Sequence, residues 1–327
     1  MAEENQAIGS RAKLIICEEA IWGLCPAASP ANDWLGIRYN TEAMVQDINA
    51  FRSAEIRSDR MVRAVLQGNK RPGGDIVTEL NAEGITKLFK QLLGDNVQTT
   101  GSDPWTHEIK GYHTLPIGFS LEKGFLDIDK YIVYSGCRVN TLALTVPQEG
   151  IPTISWGLLA KTEDSDNIAS LDTSPTYTEN DPFTSFQCTI SESALGVALG
   201  SLAIVQSFDL SITNNLKDDN FCIGNQERVN LKPGQRNVTG NMTILFQDLT
   251  LYDKYVNGTP AQLQAAFTDG TYTLTIFLPQ IQYSGTSPTP RVPDAGPLVV
   301  TLPFEAEYNA DELSDVTVTI INSESSV

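Results

Sequence analysis

Ile85-Thr86-Lys87-Leu88-Phe89-Lys90-Gln91-Leu92-Leu93-Gly94 is the stretch on which the fold turns. Ile85, Leu88, Phe89, Leu92 and Leu93 fall at i, i+3, i+4, i+7 and i+8. That spacing gathers them on one helical face, and Gly94 closes the helix. Outward from it, the unit begins near Arg57. It reads as a strand over residues 61–67, a glycine-rich turn Gly68-Asn69-Lys70-Arg71-Pro72-Gly73-Gly74, a strand over 75–80, then the helix. Residues 228–258 repeat the order: a short strand, the turn Lys232-Pro233-Gly234, a strand over 238–247, then a helix. There Leu249, Tyr252, Tyr255 and Val256 keep the helical spacing, Asp248 stands at the N-cap, and Gly258 follows. Gly74 to Gly94 spans 20 residues and Gly240 to Gly258 spans 18, so the units are alike in size. A strand–helix unit used twice implies a duplicated fold.

The remaining segments read mostly as strands. Residues 12–19 form a first strand, turned by Trp22-Gly23-Leu24-Cys25-Pro26, and 41–47 a weak one. Residues 127–135 lead through Gly136 into 138–146, and 154–161 follow. Alternation of apolar and polar residues marks 207–213, 272–278, 298–304 and 316–320 as strands with one face in and one out. Residues 95–114 carry both histidines and read as a polar loop. Residues 162–181 hold six acidic residues and no basic one, as an exposed linker would. The segment 284–296, with Pro288, Pro290 and Pro293, reads as a long loop, and 322–327 as a frayed end. The expected architecture is mainly β with one short helix per half, a duplicated antiparallel barrel or sandwich. The expected division is a first β domain with an N-terminal arm over 1–165, an acidic linker over 166–190 and a second β domain over 191–327.

Composition narrows the function. The 327 residues are 41% hydrophobic, enough for proper cores, and the net charge is −18. Nucleic-acid binding needs clustered Lys and Arg to displace counterions, so that balance argues against it. The opening Met-Ala-Glu-Glu-Asn-Gln is polar and does not read as a signal peptide. The uncharged run 193–208 is too short and too rich in Ser and Gly for a membrane helix. Five widely spaced cysteines, without a CxxC pair, read as buried thiols in a reducing cytosol.

No catalytic device emerges. His107 and His113 are the only histidines, and both fall in the expected polar loop. Lys70 and Arg71 beside glycines suggest a phosphate cradle, but a cradle opens into a helix N-terminus, and here a strand follows. Asp127 and Asp129 share the face of one expected strand, which suits a solvated surface better than a cation. Asn237 and Asn241 match the glycosylation sequon, which carries no weight without secretion. The reading is of a protein that is not an enzyme and holds no cofactor or metal.

Four blocks resemble a known family. Glu18-Glu19-Ala20-Ile21-Trp22-Gly23-Leu24-Cys25-Pro26 resembles the N-terminal segment of tail tube proteins from long-tailed, non-contractile bacteriophages. Glu55-Ile56-Arg57-Ser58-Asp59-Arg60, followed by Gly74-Asp75, resembles a second block. Ser207-Phe208-Asp209-Leu210-Ser211-Ile212-Thr213-Asn214-Asn215-Leu216 resembles a third. Gly234-Gln235-Arg236-Asn237-Val238-Thr239-Gly240, leading into Leu251-Tyr252-Asp253-Lys254-Tyr255, resembles a fourth. Their order is the family's order. Cys25, and the 162–181 and 284–296 segments, depart from its pattern.

The resemblance implies stacked rings, each giving strands to one continuous inner barrel through which DNA leaves the capsid. It implies an acidic wall that lets the phosphate backbone slide, and closure that removes exposed strand edges. The motif and assembly residues carried over are Glu19, Trp22, Gly23, Arg57, Asp59, Arg60, Asp75, Asn215, Val238, Gly240 and Tyr252. Implied partners are further copies of the chain, the tape measure protein, tail-end proteins and DNA in transit, with no membrane. The implied location is the virion tail, assembled in the host cytoplasm. Two copies per chain favour a trimeric, pseudo-hexameric ring over a hexamer. The alternative from another class is a β-sandwich binding module for sugar or protein, and an enzyme with a carboxylate pair comes third.

Overall fold

A computed structural model describes residues 6–326 apart from Arg57, Arg60, Ile168, Ala203, Pro293 and Asp294. The first half contains β1 (Ala12–Glu18), β2 (Leu35–Gly36), β3 (Thr41–Glu42), β4 (Val45–Arg52), β5 (Val65–Glu79), α1 (Thr86–Leu93), β6 (Val97–Gly101), β7 (Trp105–Lys110), β8 (Phe119–Phe125), β9 (Lys130–Val146), β10 (Thr153–Leu159) and β11 (Thr162–Asn167). The second contains β12 (Cys188–Ala194), β13 (Gly200–Ser201), β14 (Val205–Thr213), β15 (Asn237–Leu245), α2 (Thr250–Asn257), β16 (Ala261–Thr268), β17 (Thr273–Tyr283), β18 (Val299–Ala306) and β19 (Thr317–Asn322). The chain is mainly β, antiparallel, with two short helices.

The halves share one topology. The first runs β1–β8–β9–β10–β5–β4 in hydrogen-bonded order, and the second runs β12–β16–β17–β18–β15–β14. β11 lies beside β9 as β19 lies beside β17. Even the register repeats. Adding 166 to both numbers turns Thr41↔Val77 into Ser207↔Thr243 and Asp47↔Arg71 into Thr213↔Asn237, each an observed pair. The β6–β7 hairpin is an addition in the first half, and β7 pairs with β19 of the second.

One apolar core runs through both halves. The helix α1 seals it as its spacing requires: Leu88, Phe89, Leu92 and Leu93 are fully buried, and Phe89 meets Trp156 edge-on at 5.0 Å. Phe208 and Phe304 stack at 5.9 Å in the second half. The second helix is shallower. Leu251 is its buried residue, while Leu249 and Val256 of the expected stripe are exposed. Asp248 precedes the helix rather than capping it, its Oδ1 accepting from the Thr250 amide at 2.8 Å. Gly258 closes α2 in the left-handed region, φ +60°.

Several sequence expectations give way. The glycine-rich run 68–74 is not a turn but the middle of β5, a 15-residue strand whose hairpin partner is β4. Its glycines answer to close packing: a Cβ on Gly74 would meet the Ala43 carbonyl at 2.2 Å, and one on Gly73 the Leu158 carbonyl at 2.8 Å. Residues 61–64 lie outside the strand, and no strand forms at 228. The 41–47 strand is broken into β3 and the start of β4. Residues 95–114 are not a loop but contain the β6–β7 hairpin. There His107 is fully buried between Thr99, Asn322 and the Glu324 carbonyl. Asp127 and Asp129 sit in the β8–β9 turn rather than on a strand. Residues 162–167 form β11, so the acidic segment begins as a strand. Asn322 is buried and bonded to Ala82 and Thr86, so the end is tied down there, although Val327 lies outside the described residues. Cys17 and Cys137 are buried as expected, whereas Cys222 is exposed.

Candidate assembly surface

Seven strand pairings join β4, β5, β10, β9, β14, β15, β18 and β17 into one open antiparallel ladder. It is a four-strand unit written twice. The joint between the units is β9 against β14, from Thr141↔Thr213 to Val146↔Phe208. β9 reaches this joint by leaving another layer. Its first part pairs with β8 and β11, its second with β10 and β14, and Gly136, φ +68°, lies at the changeover.

One face of the ladder covers the core and the other is open. Residues directly opposite across strands share a face. One row on the open face runs Glu79, Thr153, Thr145, Asp209, Asn241, Pro303. The next runs Thr41, Val77, Ser155, Ala143, Ser211, Thr239, Glu305. A third runs Asp75, Gly157, Thr141, Thr213, Asn237. Their charged side chains are Asp75, Glu79, Asp209 and Glu305, all acidic. These rows are thus short, hydroxylated and acidic and offer a phosphate backbone no cationic hold; Arg71, beyond them at the rim, pairs with Asp218.

Two features break the outline. The β4–β5 hairpin runs past the end of the ladder, because β10 pairs with β5 only from Gly73 to Glu79. Phe51, Met61, Val65 and Leu66 on it are all more than half exposed. Among the described residues, the outer edge of β3 and β4 carries no strand.

The motif residues fall into separate groups. Glu19, Trp22 and Gly23 tie the turn after β1 to the bend in β9. The buried Glu19 carboxylate accepts from Ser120 Oγ and from the Gly136 amide, each at 2.6 Å, and Trp22 Nε1 donates to the Gly136 carbonyl at 3.1 Å. Gly23 has φ +74°, and a Cβ there would strike Lys161, which lies over the Trp22 ring. Asp75, Val238 and Gly240 belong to the ladder. A Cβ on Gly240 would meet the Asp209 carbonyl at 2.4 Å, just as Gly74 meets Ala43. Asn215, φ +49°, begins the excursion after β14, its amide donating to the Gln235 carbonyl at 2.8 Å. Tyr252 lies half-buried on α2. Asp59 sits in the hairpin turn, its Oδ1 accepting from the Met61 amide, while Arg57 and Arg60 lie outside the described residues. The described ones among these residues do not converge on one site.

Sequence reasoning missed two buried anchors. Lys13 and Glu122 form an ion pair at 3.1 Å, and Glu122 accepts from the Leu171 amide at 2.6 Å, fastening the acidic segment to β8. Arg228, nearly fully buried, donates to the carbonyls of Pro72 and Ala160. Burial lowers its pKa, with Asp218 opposing that shift. Nothing local in either sequence marks partners so distant.

The model of the phage tail tube protein family matches residues 9–306. The chain belongs to the phage tail tube protein family. No curated protein matches it. As a tail tube protein it is a structural component of the virion tail.

Proposed function

We propose that the chain assembles into rings that stack as the tail tube, with the open face of the ladder turned inward as the wall along which DNA passes. The observation that carries this reading is the repeated register. β3 and β4 stand to the first unit as β14 stands to the second, yet β14 is covered by β9 and β3–β4 is not. Repeating the internal β9–β14 joint between chains, with the segment that follows β17 taking the part that Thr141–Val146 of β9 play inside the chain, covers that edge. Closed cyclic symmetry then ends the assembly without exposed edges. Three chains supply six units, so the ring is a pseudo-sixfold trimer rather than a hexamer. The two units correspond to tube-like domains over 1–165 and 191–327, joined by the acidic 166–190 segment.

On this reading Asp75, Glu79, Asp209 and Glu305 line the lumen, and passing DNA is held off rather than bound. The role is non-enzymatic. The tape measure protein and tail-end proteins are its partners in the tail, and rings form in the host cytoplasm. Glu19, Trp22, Gly23 and Gly240 act by shaping the subunit, and Asp59 with Arg57 and Arg60 by contacts between subunits. Electron microscopy of the purified protein tests the reading: rings or tubes are expected, and monodisperse single chains at high concentration would refute it.

A further inference from the structure

The two units differ in one respect that assembly must resolve. Beyond the same register position each hairpin carries an excursion of the same length: residues 48–70 lie between Asp47 and Arg71, and residues 214–236 between Thr213 and Asn237. The second excursion is folded down over the rim of the first unit. Arg228 donates there to the Pro72 carbonyl at 2.7 Å and the Ala160 carbonyl at 2.5 Å, and the Lys70 amide donates to the Gln226 carbonyl at 2.9 Å. Leu231 is fully buried against Leu115 and Leu216, with Trp22 and Leu159 beside them. The first excursion instead projects as a hairpin that meets the second excursion at its base, through Lys70, and leaves Phe51, Val65 and Leu66 more than half exposed.

Among the described residues, the rim of the second unit, where register places Val238 and Ala306 in the positions of Pro72 and Ala160, carries no such excursion over it. A cleft of about 740 Å³ opens there, walled by Asn237, Glu305, Ala306 and Glu307. Tyr308 and Leu313, both more than half exposed, form its apolar lips. Charge matches as well as shape. Residues 48–70 contain Arg52, Arg57, Arg60, Arg63 and Lys70 against Glu55 and Asp59, a basic stretch in a chain of net charge −18. The cleft wall offers Glu305 and Glu307, its Arg236 being already paired with Asp315.

We propose that the 48–70 hairpin of a second copy of this chain seats in this cleft, holding over the second unit the place that residues 214–236 hold over the first. The inference rests on the self-assembly proposed above. The β9–β14 joint, repeated between chains, brings the hairpin of one chain to the second unit of its neighbour. Each interchain joint then gains an apolar and ionic clasp besides its strand pairing.

The test replaces Phe51, which is exposed, by photoreactive benzoylphenylalanine in the full chain. This protein is mixed with isotope-labelled wild type, irradiated in the assembled state, and its cross-linked peptides are mapped. Links between chains to the peptide spanning residues 305–315 are expected. Assembly with cross-links only elsewhere overturns the clasp and leaves the ring reading intact. Failure of the chain to self-associate at any concentration overturns both. A second variant, Leu313→Asp, alters an exposed side chain and spares the fold. It is expected to raise the concentration needed for assembly by about tenfold or more, and unchanged assembly would contradict the clasp.

Discussion

The guanidinium of Arg228 donates to the carbonyl of Pro72 at 2.7 Å, across 156 residues of sequence and from one half of the chain to the other. This buried contact holds the second unit's excursion over the middle of β5. Arg228→Leu should cost about 1–3 kcal/mol for each buried carbonyl left without its donor. Arg228→Lys should recover only part, because an ammonium lacks the planar fork. Urea denaturation of both variants measures the loss, and an unchanged midpoint for Arg228→Leu would show that the contact carries no stability.

Phe89 is the largest side chain that α1 buries, and Trp156 meets its ring. Phe89→Ala removes that ring from a closed core and leaves a cavity. A loss of about 3–5 kcal/mol is expected, seen as a lowered denaturation midpoint or as insoluble protein. A soluble variant of wild-type stability would mean that α1 is not a packed element.

Gly240 has no room for a side chain between the Asp209 carbonyl and the Phe304 ring. Gly240→Val should push β14 and β15 apart, cost about 1–3 kcal/mol or more from overpacking, and disturb the ladder. Gly9→Ala, where nothing lies within 4 Å, is the control and should behave as wild type. Circular dichroism melts of the pair check this, and equal melting temperatures would contradict it.

The five thiols should separate by burial. Desolvation raises the pKa of Cys17 to about 11 and that of Cys188 to about 12, and raises those of Cys25 and Cys137 as well. Thiolate is the reactive form, so these four should resist labelling near neutral pH. Cys222 is exposed. Titration with a thiol reagent should find one fast cysteine in the native protein and five after denaturation. Rapid labelling of Cys137 in the native state would contradict the packing around β9.

How much of this was legible depended on whether the cause was local. Helix α1 and strands β14, β17, β18 and β19 follow from periodicity, because each sets one apolar face against the core. The duplication was visible in the Gly74–Gly94 and Gly240–Gly258 spacings, and the register repeat bears it out at the level of single pairs. The 68–74 run misled because glycine serves both turns and close backbone approach. Only the position of Ala43 and Leu158 distinguishes the two. His107 misled in the same way, since Asn322 and Glu324, which close off its ring, lie at the far end of the chain. Of the motif residues, the sequence marked Glu19 and Gly240 but not why they matter: one satisfies the amide at a strand bend, the other lets two strands and a ring approach.

The central claim is that one chain carries two tube units, so that three chains close the ring. Native mass spectrometry of isolated rings tests it most directly. Three chains of 35.7 kDa give about 107 kDa, the expected result, and six give about 214 kDa, which would contradict the trimer while leaving membership of the tail tube family untouched.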